Sequence, residues 1–143
     1  MTQKPISDIP QGILLLELDA SVMTNLEGLY REIVSVLKFP DYFGDNLDAL
    51  DECINDLKWL PANSYLLVIK NSECLLKEEP DSILEGFLSI LYDAGKEWAK
   101  PVKLGEYWDR EAVPFHTILE FNKGNVSEFL PRLKRLGIEI QNL

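Results

Sequence analysis

The stretch DYFGDNLDALDECINDL, residues 41–57, gathers six carboxylates, two asparagines and a glycine without one positive charge, between Lys38 and Lys58. Carboxylates at this density could hold a metal, work as an acid–base pair or face a cationic partner. The metal reading fails on residue types. Asp41 to Glu52 begin and end with acids as a calcium loop does, but Phe43 stands third, and Asn46 stands sixth where the loop needs glycine. Asp48 and Glu52, four apart on a helix, would lie about 5 to 6 Å apart at Cβ. Glycosidase carboxylates face each other across a cleft, whereas this pair would stand side by side on one convex element. Docking into a cationic cleft fits better. Acids fixed on a rigid helix lose less entropy on docking than loop-borne ones, and they can stand in for a row of phosphates. Asp48 in the first helical turn gains about 0.3 to 1 kcal/mol from the macrodipole, but Asp51, Glu52 and Asp56 repel it and one another. A purely structural helix could avoid that repulsion.

Other reactive groups are sparse. Cys53 and Cys74 lie far from any CxxC spacing and His116, within FHTILEF, is the single histidine, so no zinc or thioredoxin-type ligand set exists. Both thiols are expected reduced, with Cys53 as core filler and His116 as a packed strand residue. No cofactor is implied. A net charge of −10 argues against direct nucleic-acid or anionic-membrane binding and favours a basic partner. The apolar runs fall short of the ~18 residues needed to span a bilayer, and MTQKPISDIPQ lacks the apolar region of a signal peptide, so a soluble, cytoplasmic protein is expected.

The elements that must position the acids follow from periodicity. GILLLEL, residues 12–18, reads as a strand covered on both faces, preceded by a loose polar arm. Thr24 and Glu27 form a capping-box pattern, and Leu26, Leu29, Tyr30, Ile33, Val34 and Leu37 repeat at helical spacing until Pro40. After the turn at 41–44, Asn46 is a helix N-cap, and Leu47, Leu50, Ile54 and Leu57 mark the apolar stripe. Asp48, Asp51, Glu52 and Asn55 then point away from the core. SYLLVIK, 64–70, is a second buried strand. Asp81 or Ser82 caps a helix whose inner side is Ile83, Leu84, Phe87, Leu91, Ala94 and Trp98. A third strand follows at 115–121. Residues 99–114 have no clean period and read as a long loop with exposed Tyr107 and Trp108. NVSEFLPRLKRLG reads as a helix with its start blurred by Pro131 and its end near Gly137, and IEIQNL as a short edge strand. The fold class expected is α/β, a small, mainly parallel three-stranded sheet packed by helices, with a C-terminal helical extension. Residues 1–143 form one domain in this reading, with a core at about 12–121 and the extension at 122–143.

The segment FPDYFGDNLDALDECINDL resembles the signature of the barstar family, inhibitors of a secreted ribonuclease: a proline, an aromatic pair, glycine, an asparagine cap, Leu-Asp-Ala-Leu, then an acid and a cysteine. The order of elements over residues 12–121 agrees, with little residue identity outside the signature. The resemblance implies that the acidic helix and its preceding loop enter the active site of a basic ribonuclease, as a monomer binding one to one. Carried over by position, Tyr42 and Phe43 supply aromatic contacts, Gly44 the backbone-close turn, and Asn46 the cap and a hydrogen bond. Asp48 and Glu52 take the places of the two principal acids, with Leu47, Asp51 and Asn55 beside them. The chain departs from the family pattern at three positions: Phe43 replaces a tyrosine, Asp51 a tryptophan and Glu52 an aspartate. The positions near Gly86 and Ser89 on the next helix also lack the family's residues, although Glu85 and Asp93 are nearby.

Structural readings stand beside these. Tyr42 and Phe43 could staple the helix junction, Gly44 could serve a left-handed turn, and Asn46 could be only a cap. Function classes compete too: a ribonuclease inhibitor or immunity protein, an acidic adaptor for a basic partner that is not a nuclease, or an enzyme. No catalytic residues are expected.

Overall fold

The computed structural model describes residues 2–3, 12–107, 109–122, 126–137 and 141–142. Among the described residues five parallel strands form one sheet: β1 (Thr2–Gln3), β2 (Leu14–Asp19), β3 (Tyr65–Lys70), β4 (Phe115–Leu119) and β5 (Gln141–Asn142), in the order β2-β3-β4-β1-β5. The three longer strands are those the apolar runs predict. Leu16, Leu67 and Thr117 stand in register across them, as do Leu18, Ile69 and Leu119. The polar arm departs from expectation in that Thr2 pairs with both Ile118 and Gln141. Trp108, expected to be exposed, lies outside the described residues.

Helices α1 (Leu26–Leu37), α2 (Leu47–Asp56) and α3 (Asp81–Trp98) share one core with the inward strand residues, because their leucines, isoleucines and aromatics recur at helical spacing. Leu50, Cys53 and Ile54 of α2 and Leu84, Phe87, Leu91, Ala94 and Trp98 of α3 are all buried there. Cys53 is thus the packing residue expected of it, and burial pushes its thiol pKa up, with Asp56 and Glu52 adding to the effect. Among the described residues no helix is long and apolar enough to cross a membrane.

Four local expectations are corrected. Asn25, not Thr24, caps α1: its side chain accepts from the Gly28 amide at 2.9 Å, while Glu27 pairs with Arg31 instead of turning back. The α3 cap position is Pro80, which has no side chain to offer, and the Asp81 carboxylate is drawn off to Arg132 and Arg135. Those two guanidinium groups hold its carboxyl below the usual range. Pro131 sits inside α4 (Val126–Arg135), not at its start. His116 is exposed, since in the alternation along β4 it faces away from Phe115 and Thr117, which are buried.

α4 is fastened to the rest of the chain. Phe129 and Leu133 join the common core, and the Phe129 ring meets Phe121 at 5.5 Å. Arg132 donates to the carbonyls of Leu76 at 3.0 Å and Glu79 at 2.8 Å as well as to Asp81.

Candidate functional site

The acidic segment begins where α1 stops. Lys38 takes a left-handed conformation at φ 56°, and the Phe39 amide returns to the Val34 carbonyl, so the helix closes before Pro40. A turn from Pro40 to Phe43 follows, with the Phe43 amide donating to the Pro40 carbonyl at 3.0 Å. The two aromatic residues then part. Phe43 is half-buried, edge-on to Tyr30 at 5.8 Å and to Phe39 at 5.1 Å, and Phe39 in turn meets Trp59. Its ring closes the junction between helices, an apolar role for which a phenyl serves without a hydroxyl. Tyr42 is 67% exposed.

The left-handed residue of this loop is Asp45, at φ 47°, not Gly44. Gly44 matters for space: a Cβ there would sit 3.2 Å from the Asn46 side-chain nitrogen, which donates to the Gly44 carbonyl at 2.9 Å. The Asn46 Oδ1 accepts from the Ala49 amide at 2.8 Å, so one side chain both braces the loop and caps α2, as its position predicts.

From there the helix separates two faces. Leu50, Cys53, Ile54 and then Leu57 are buried, while Asp48, Asp51 and Glu52 are exposed and Asn55 is half-buried. Leu47 packs partly against the core, close enough to α3 that a Cβ on Gly86 would lie 3.4 Å from its Cδ1. The Asn55 side chain donates to the Asp51 carbonyl at 2.8 Å and to its carboxylate at 3.1 Å, which fixes that acid. Among the described residues no lysine, arginine or histidine forms an ion pair with any of the six acids between Asp41 and Asp56. Nor do the described residues place three or more potential ligands where a metal could be held.

The end of α2 is secured by residues that sequence reading misses. A helix leaves its last carbonyls without internal partners, and α2 has no basic residue in its last turn. The Cys53 carbonyl takes the amide of left-handed Leu57. The Ile54 carbonyl takes the buried Trp98 indole N–H at 2.9 Å, and the Asn55 carbonyl takes a guanidinium N–H of Arg110 at 3.3 Å. That guanidinium stacks on the Trp98 ring, 3.7 Å from its centre, bringing positive charge to the negative end of the helix. Trp98 was legible only as an apolar position of α3. Arg110, in the loop after it, carries no local signal of this contact.

A family model described as "Barstar (barnase inhibitor)" matches residues 13–120. A curated protein of Bacillus subtilis (strain 168), named "Putative ribonuclease inhibitor YrdF", is 35% identical over 87 residues, which are 61% of this chain and 91% of that relative.

Proposed function

Since the chain belongs to the barstar family, we propose that it inhibits a basic ribonuclease in the cytoplasm by laying α2 and the loop 41–46 into the enzyme's active-site cleft. Asp48 and Glu52 take the sites of substrate phosphates, with Asp51 and Asn55 beside them and Tyr42 and Gly44 at the rim. Phe43, Asn46 and Leu47 contribute by holding that surface in shape. The observation that carries this reading is the row of exposed carboxylates Asp48, Asp51 and Glu52, without cationic partners in the described chain, on a helix whose opposite face is locked in the core. Such a surface meets a phosphate-binding cleft with little ordering cost. The partner is the nuclease itself and not its nucleic acid, bound one to one, and the inhibitor performs no catalysis.

Glu52 reaches about one methylene further than the family's aspartate, and Asp51 adds a charge where the family has an aromatic. Both changes suit a deeper or more basic cleft than that of the type partner. The energy scale for close charge pairs, about 1.5 to 7 kcal/mol, belongs to this family's type complex and is borrowed from it.

The test is a titration of RNA cleavage by small secreted ribonucleases, barnase first, with the wild-type chain and with Asp48→Ala/Glu52→Ala. Stoichiometric inhibition that is lost in the double variant, which still unfolds in one cooperative thermal transition, is the expected result. Binding to a basic protein without loss of cleavage would instead favour an adaptor.

A further inference from the structure

We propose that the described residues of the loop after α3, 102–107 and 109–111, are a second, apolar contact of the same surface, touching the bound ribonuclease beside the cleft that the acids enter. This rests on the inhibitor reading above. The loop's described residues form no helix or strand, yet they are braced. Val102 and Arg110 exchange both backbone hydrogen bonds, at 2.8 and 2.9 Å, and close its neck. The Asp109 carboxylate accepts from the amides of Leu104 at 2.9 Å and Gly105 at 2.8 Å, which fixes the tip. A tip held this way presents Leu104, 69% exposed, and Tyr107, 94% exposed. Large apolar side chains held out on a braced loop are what an interface anchor requires, because little ordering remains to be done on binding.

Its place on the molecule selects the occupant. Through Arg110 the neck is bonded to Asn55, one residue of the acidic face, and through the same side chain it is stacked on Trp98. Asn55 lies three residues beyond Glu52, about 4.5 Å along the helix axis. A standard interface covers about 800 Å² on each partner, a patch roughly 30 Å across, so the neck of the loop falls within the span of a protein seated on Asp48 and Glu52. The chemistry of this contact differs from that of α2. Residues 99–114 carry Lys100, Lys103 and Arg110 against Glu106, Asp109 and Glu111, a balance of zero, whereas 41–57 carries six acids and no base. The loop therefore adds shape and apolar area, which govern residence time and the choice among basic nucleases, and α2 supplies the salt-sensitive attraction.

The experiment measures association and dissociation of the ribonuclease that the wild-type chain inhibits most tightly, at several salt concentrations. It compares wild type, Leu104→Ser/Tyr107→Ser, Arg110→Met and Asp48→Ala/Glu52→Ala, with thermal midpoints as the folding control. The loop double variant is expected to dissociate at least tenfold faster, with the slope of log Kd against log salt unchanged and the midpoint retained. Arg110→Met should shift dissociation the same way. Kinetics of the loop double variant within twofold of wild type overturn this inference and leave the inhibitor reading standing. A loss of salt slope in that variant overturns the apolar assignment. Failure of the wild-type chain to bind any basic ribonuclease overturns both.

Discussion

The amide of Asn46 is engaged on both sides, to the Gly44 carbonyl and from the Ala49 amide. Asn46→Ala should cost about 1 kcal/mol, read as a lower urea midpoint, and loosen the loop that carries Tyr42. Asp109 gives a pH-dependent counterpart. The Leu104 amide foremost, then those of Gly105 and Glu106, hold its carboxyl below the usual range against a desolvation effect of opposite sign. A depressed folded value means the stabilisation is full above the ordinary carboxylate range and is lost as pH falls through the lowered value. The protection of the Leu104 and Gly105 amides, taken as their exchange rate relative to that of the unfolded chain at the same pH, should accordingly fall on acidification before that of the core amides. At this scale the sequence was a good guide to the cap of α2 but not to those of α1 and α3, where Asn25 and Pro80 hold the positions expected of Thr24 and of Asp81 or Ser82. Asn46 is legible because it caps the turn directly after it, whereas the left-handed position falls on Asp45 and not on Gly44, whose smallness answers crowding by the capping side chain itself.

For the elements, the two ends of α2 contrast. Its start is secured by a residue adjacent in sequence, its end by Trp98 and Arg110, 44 and 55 residues away from their acceptors. That separation is why periodicity finds the helix but not what holds its last turn. Trp98→Phe keeps most of the ring and removes the donor, leaving the Ile54 carbonyl buried and unpaired. Such a change should cost about 1 to 3 kcal/mol in chemical denaturation. α1 meets a harder limit. A Cβ on Gly28 would lie 2.1 Å from the Val22 carbonyl oxygen, a backbone atom that cannot swing aside. Gly28→Ala should thus destabilise by about 1 to 3 kcal/mol despite alanine's higher helix propensity, a reversal that a thermal midpoint would reveal.

Over the whole molecule, charge and the C-terminal helix set the expectations. With a net charge of −10 and the acids of α2 concentrated on one side, association with a basic ribonuclease should slow steeply as salt rises, measured by stopped flow. We read the chain as one folding unit, since Phe129 and Leu133 share the core of the sheet and Arg132 is bonded to the segment before α3. Arg132→Ala should then lower the midpoint of one cooperative transition, by about 1.5 to 3 kcal/mol, instead of releasing a separate early step. The order of the three longer strands and of the helices was legible because buried parallel strands and amphipathic helices leave different periodicities in a sequence, whereas the two-residue β1 leaves none. The contact that ties residues 126–135 to the segment before α3 was not, because one arginine reaching carbonyls more than 50 residues away has no periodic trace.

Three non-glycine residues with left-handed backbones, Lys38, Asp45 and Leu57, punctuate the chain around α2. Each holds a conformation that costs an L-residue roughly 1 kcal/mol and costs glycine almost nothing. Lys38 is exposed and lies outside the acidic face, so Lys38→Gly offers an unused reserve of robustness. A gain of about 0.5 to 1 kcal/mol there would give a hardier scaffold on which the acids could be re-engineered for other nucleases.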